Sequence, residues 1–300
     1  MTAGQEKLKS KVMEWLQEEG YPLEFYTAAV FSKNHFEVIQ GAHVLDKTGK
    51  ARELDIIAGH NRVTNSSNFK LCRVVECKWS GDKPWVLFKD SSTVLSSIQI
   101  ANLISSKSGE ALTWAMAADN SIADLPIFSS RGLSFSGRQA LGKSDLFYQA
   151  VQGVVTNSIS LARQYDEIYP AEHPDKEVTV FVALPTIVVS GELYEASYQA
   201  DNDEVKLESV KHSRLFWQGN EDRRSGIVVD IITKDYLSDF LNEQHWQVGR
   251  LLNEFGSQLN LLQFSFSNKT TKFLQVPDCQ RGYIGRPELL ERMQRESVRS

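Results

Sequence analysis

Two short apolar runs carry ionisable residues where hydrocarbon would be expected. Asp55 sits in LDIIA (54–58), between Leu54 and Ile56; Glu76 and Lys78 sit in FKLCRVVECKW (69–79). In an extended chain, residues two apart share a face, so Glu76 and Lys78 project together while Cys77 points the other way. Charges inside hydrophobic strands cost free energy unless they are paired or bound to a metal. Phosphodiester hydrolysis would use all three. Two neighbouring carboxylates repel, which raises one pKa unless a cation lies between them. Mg2+ takes carboxylate and carbonyl oxygens, so Asp55 and Glu76 suit it, with the backbone carbonyl of Cys77 as a further ligand. Such an ion polarises a phosphoryl oxygen and lowers the pKa of bound water. Lys78 suits the task of orienting that water or stabilising charge on phosphorus.

RELDIIA followed by VVECKWS resembles the D…(D/E)xK signature of the PD-(D/E)xK, or restriction-endonuclease-like, nuclease superfamily. The resemblance covers roughly residues 5–185. It implies an αβββαβ core, Mg2+ (with Mn2+ as a substitute) held by Asp55 and Glu76, and catalytic assistance from Lys78. It also implies a nucleic-acid substrate, most naturally DNA, and action as a homodimer that cuts two strands. Leu54 stands where the family name has proline, which removes no ligand. Many relatives add a glutamate from the first helix, for which Glu6 and Glu14 are the candidates. Some add a glutamine from the helix after the lysine, where Gln149 and Gln152 fall and Gln152 is retained.

Other motifs compete. GRQALGKS (137–144) matches G-x-x-x-x-G-K-[ST] through Gly137, Gly142, Lys143 and Ser144. The run before it is short and polar, and Arg138-Gln139-Ala140-Leu141 is bulky where backbone amides must wrap a phosphate. The six histidines show neither HxH nor HExxH spacing. Trp79, Lys83 and Trp85 follow the lysine and suit either base stacking or core cover. A bland reading of the acidic pair is a strand-edge salt bridge with Lys78. A non-catalytic binding module on the same fold is the alternative function, and the net charge of −5 favours it, because nucleic-acid binders often carry a basic excess.

Several elements must position these residues. Residues 5–19 read as an amphipathic helix with Leu8, Val12, Trp15 and Leu16 on one face, stopped by Gly20. Leu23–Phe31 and Phe36–Leu45 read as extended. Residues 54–58 and 69–79 are strands, 93–124 are mainly helical, and 129–144 are loop-like. A long helix spans 145–165; strands follow at 178–184, 187–189 and 193–200. A polar stretch (201–225), a strand at 226–232, a helix through about 254 and a charged tail complete the chain. This order predicts an α/β fold: a restriction-endonuclease-like core with a central mixed sheet flanked by helices, and a strand and helix extension. One domain of 1–300 is expected, with a core of about 5–200 and an extension of about 201–300. The apolar share of 41% and charged share of 24% are those of a globular protein. The charged start is not a secretory signal, and no apolar run is long enough to span a membrane. Cys72, Cys77 and Cys279 lack zinc-ligand spacing, so a cytoplasmic setting is expected.

Overall fold

The computed structural model describes residues 3–64, 67–89, 103–106, 108–109, 112–113, 116, 125–129, 132–142, 146–168, 178–218 and 226–267. Helix α1 (Ala3–Glu18) is followed at once by α2 (Tyr21–Lys33). Gly20, at φ 86, makes the corner between them, a conformation that L side chains rarely adopt. The run expected to be extended, Leu23–Phe31, is therefore helical. Pro22 sits in the first turn of α2, where its missing N–H costs nothing, and Leu23, Thr27, Ala28 and Phe31 are buried at helical spacing. Asn34 closes the helix by donating from Nδ2 to the Val30 carbonyl at 2.9 Å.

Eleven strands among the described residues form one mixed sheet. β1 (Glu37–Leu45), β2 (Ala51–Thr64) and β3 (Ser67–Trp79) form an antiparallel meander. β4 (Trp85–Lys89), β5 (Ile104–Ser105) and β6 (Leu133–Gln139) come next. Helix α3 (Leu146–Ile168) then leads to β7 (Val178–Ser190), which lies parallel to β3 over its whole length. β8 (Leu193–Gln199), β9 (Glu204–Val210), β10 (His212–Trp217), β11 (Ile227–Thr233) and helix α4 (Leu237–Ser267) finish the described chain. The spatial order is β1-β2-β3-β7-β11-β10-β6-β4-β8-β9, with β5 also paired to β7. The fold is α/β, with helices on both faces of the sheet.

Three expectations are corrected here. The loop-like 129–144 contains β6, whose Gly137 lies against the Phe147 ring of α3; a Cβ there would stand 2.4 Å from that ring. The polar stretch 201–225 contains β9 and β10. β9 is an edge strand exposed along nearly all its length, so it has no buried face to produce alternation. The two expected strands around Pro185 are one strand. Pro185 lies where β7 exchanges its outer neighbour: β5 pairs at Val182 and Ala183, and β11 pairs from Thr186 onward. The missing N–H therefore removes no ladder bond on that side. Most of 93–124, and the tail beyond 267, lie outside the described residues.

Two apolar layers cover the sheet. On one side α3 packs Ala150, Val151, Val154 and Leu161 over Val74, Ile187 and Val189. On the other, Leu23 and Phe31 of α2 and Leu237 and Phe240 of α4 cover Ile56, Val75 and Val188. Within the second side lies a buried ionic knot. Arg73 Nη1 donates to Thr186 Oγ1 at 2.9 Å and to Asp230 Oδ2 at 2.8 Å, tying β3 to β7 and β11. Burial works against the ionised Asp230, but Arg73, His212 and Arg214 outweigh it and hold the carboxyl far below its usual range. Arg73→Ala should leave this acid poorly compensated and cost about 3 kcal/mol in urea unfolding. The stabilisation is complete above the ordinary Asp value of 3.8 and is lost as pH falls below it. The variant's unfolding midpoint should therefore fall less steeply on acidification than that of the parent.

Candidate active site

The site begins where two strands part. The β2–β3 ladder runs from Thr64↔Ser67 to Ile56↔Val75 and stops. Beyond it, β3 stays with β7 out to Trp79↔Ser190, while β2 stays with β1 back to Ala51. Asp55 lies at the fork on one strand and Glu76 on the other. The Cys77 amide, left without a β2 carbonyl, donates instead to Asp55 Oδ2 at 2.7 Å. Opposite Asp55 on β1, Gly41 adopts φ 60, and the β1–β2 pairing skips that step. The strand also rotates here. Leu54 packs into the layer under α3, yet Ile56, two residues on, packs into the layer under α2. A regular strand would put both on one face.

Charge gathers at the fork. Lys78 Nζ lies 2.6 Å from Glu76 Oε1. Burial raises the Asp55 pKa more than the Cys77 amide and Lys78 lower it. Burial also raises Glu76, Asp55 adds repulsion, and Lys78 compensates only in part. Lys78 moves up as well: burial opposes its charge, but Glu76 and then Asp55 hold the proton on. Both partners of one ion pair are thus raised: Glu76 by burial first and then by Asp55, and Lys78 by the two acids beside it.

A fourth ionisable group comes from α2. Glu24 is half-buried beside the fork, and its pKa is pushed up to about 7, by burial first and then by Asp55 and Glu53. It is the helical carboxylate of this cluster. Glu6 and Glu14 lie exposed on α1, one helix earlier. Glu24 was hidden from sequence reasoning by the extended reading of Leu23–Phe31; the helical spacing of Leu23, Thr27 and Phe31 was the available signal. Glu53 was missed because, although it lies within RELDIIA, no role was assigned to it beside Asp55. Its backbone carbonyl accepts from Asn157 Nδ2 of α3 at 3.1 Å.

On the α3 side, the residue facing Glu76 is a glycine. A Cβ built on Gly153 would sit 3.8 Å from both Glu76 carboxylate oxygens. Gln152 and Gln149, its neighbours on the helix, are exposed. Burial, with Asp55 adding repulsion, pushes the Cys77 thiol well above its ordinary range. Trp79 is exposed at the end of β3, while Trp85 is fully buried, 5.1 Å from the Phe147 ring. The phosphate-loop motif does not form a loop at its start: Gly137, Arg138 and Gln139 lie in β6, paired to β4. Lys143 and Ser144 lie outside the described residues.

Among the described residues, no three His, Cys, Asp or Glu side chains form a ready cage for an ion. The chemistry of the donor set still suits a hard divalent cation. Glu24, Asp55 and Glu76 are oxygen donors, all raised by burial first and all by repulsion from Asp55 or Glu53 as well, which Lys78 does not offset.

Because Glu24 titrates in the fold above its ordinary 4.5, its stabilising effect is complete below that value and is lost as pH rises toward 7. In metal-free buffer, Glu24→Gln should match the parent near pH 4.5. At pH 8 it should be the more stable by about 1 kcal/mol, allowing for solvent screening of a half-exposed group. Thermal unfolding at the two pH values checks this. In comparisons with known proteins, the chain matches no family model, no curated protein and no solved structure, so what this cluster does follows from its own geometry and chemistry.

Proposed function

We propose that the chain is a divalent-metal-dependent nuclease of the PD-(D/E)xK kind, hydrolysing phosphodiester bonds of nucleic acid, most naturally DNA. One observation carries the reading: three carboxylates and a lysine meet where β2 and β3 separate, and Asp55 is held there by the Cys77 amide. The order α2-β1-β2-β3-α3-β7, with β3 and β7 parallel, supports a restriction-endonuclease-like core carrying β4, β5 and β6 as an insertion and β8 to α4 as an extension.

Each residue has a task. Asp55 and Glu76 would hold Mg2+, or Mn2+ in its place, with the Cys77 carbonyl as a further donor. Glu24 replaces Glu6 and Glu14 as the helical acid and accepts a hydrogen bond from the attacking water. Lys78 stays protonated, so it donates a hydrogen bond and offsets the negative charge that builds on phosphorus. The bound ion supplies Lewis-acid polarisation of the phosphoryl oxygen and a more acidic water. Gly153 faces the Glu76 carboxylate from α3.

A second reading, a binding module without catalysis, draws on the net charge of −5. Purified protein incubated with single-stranded, duplex and branched DNA and with RNA separates the two. The expected outcome is cleavage in Mg2+ or Mn2+ and none in EDTA. Asp55→Ala and Lys78→Ala should each lower the rate at least about a hundredfold, with circular dichroism unchanged. Binding without cleavage under every metal condition would establish the second reading instead.

A further inference from the structure

Helix α1 exposes an apolar stripe that no other element among the described residues covers. Leu8 is 63% exposed, Val12 45% and Trp15 49%. These three follow one another at spacings of four and three residues, the seam of a helix that packs against another helix. The patch continues past Gly20. The Trp15 ring lies 5.5 Å from Tyr21, which stacks at 6.3 Å on Phe25, itself 56% exposed. Contiguous exposed apolar surface of this kind marks an interaction site.

The charges beside the stripe identify what covers it. Lys11 from the first half of α1 and Glu18 from the second lie beside it, whereas Glu6 and Glu14 lie on other faces of the helix. No basic residue lies in the last turn, so Glu18 opposes the helix dipole within its own chain. Lys11 and Glu18 are seven residues apart and flank the same side of the stripe. When two such helices pair antiparallel, like flanks meet, so Lys11 faces Glu18 of the second copy and Glu18 faces its Lys11. Val12 then packs against Trp15 of the second copy. A parallel pair would set Lys11 against Leu16 and gain nothing. A two-fold interface requires this self-complementarity. Nucleic acid is a poorer occupant, because Glu18 and Glu24 lie near the aromatic end.

We infer that α1 is an antiparallel homodimer interface, in which a second copy of this chain covers Leu8, Val12 and Trp15 and exchanges paired Lys11–Glu18 contacts. The interface goes beyond the proposed activity and does not depend on it. Because α1 joins α2 through Gly20, it also carries two Glu24-bearing helices into one particle.

Sedimentation equilibrium of the full chain tests it. The expected mass is twice 33.9 kDa at micromolar concentration. Lys11→Glu and Glu18→Lys should each weaken the dimer about tenfold, since each creates two like-charge contacts. The double variant should restore it, because the pairs are re-formed with reversed sign. Trp15→Ala should weaken it further, and all three positions are exposed enough for the monomer to stay folded by circular dichroism. A monomeric parent at 0.1 mM or so, or a double variant no tighter than the singles, overturns the inference. So does a Trp15→Ala protein that keeps its mass but loses binding to a single-stranded oligonucleotide in EDTA, which would make the face a base-stacking surface.

Discussion

The hydrogen bond from the Cys77 amide to Asp55 Oδ2 is the constraint on which the centre depends. A strand leaving its neighbour exposes backbone donors that must find partners. Here the side chain of the departing strand supplies one, and in doing so is fixed against the adjoining strand. A single contact thus solves the backbone problem at the fork and sets one carboxylate beside another. The rotation of β2 between Leu54 and Ile56, and the Gly41 conformation across from it, are the local adjustments that let the fork open without disturbing either apolar layer.

The electrostatic state of the cluster follows from that geometry. Charges in half-buried surroundings with only one nearby cation are under-compensated, and the carboxyls respond by taking up protons more readily. Lys78 is drawn into the deficit and pairs with Glu76, the acid nearest to it. The cluster therefore carries free energy that a divalent ion would release on binding, as buried like charges become mutually bridged. The same imbalance makes the fork a poor place for a purely structural salt bridge.

Asp55, Glu76 and Lys78 were legible in the sequence because they interrupt apolar strands, and strand periodicity is short enough to read from a few residues. Glu24 was not, since Leu23–Phe31 is apolar at both the strand and the helix period, and only the Gly20–Pro22 corner distinguishes them. Strand β9 was illegible because an edge exposed along nearly all its length shows no alternation, and β6 because its serines and Gly137, the latter required by the Phe147 ring, read as a loop. Pro185 was misread as a break for a reason visible only in three dimensions: its unpaired side coincides with the gap between two neighbours. The amphipathic pattern of α1 was read as written, yet its apolar side faces outward rather than into the core.

The Arg73 knot has a mechanical meaning for the site three residues away. Because it staples β3 to β7 and β11 from beneath, the amides around Val74 and Val75 are fastened on two sides. Past Glu76 the strand is held on one side only. Beyond the fork, the position of Glu76 and Lys78 is therefore set by the β7 ladder behind them, and β2 reaches β3 there through the Asp55 side chain and the Cys77 amide.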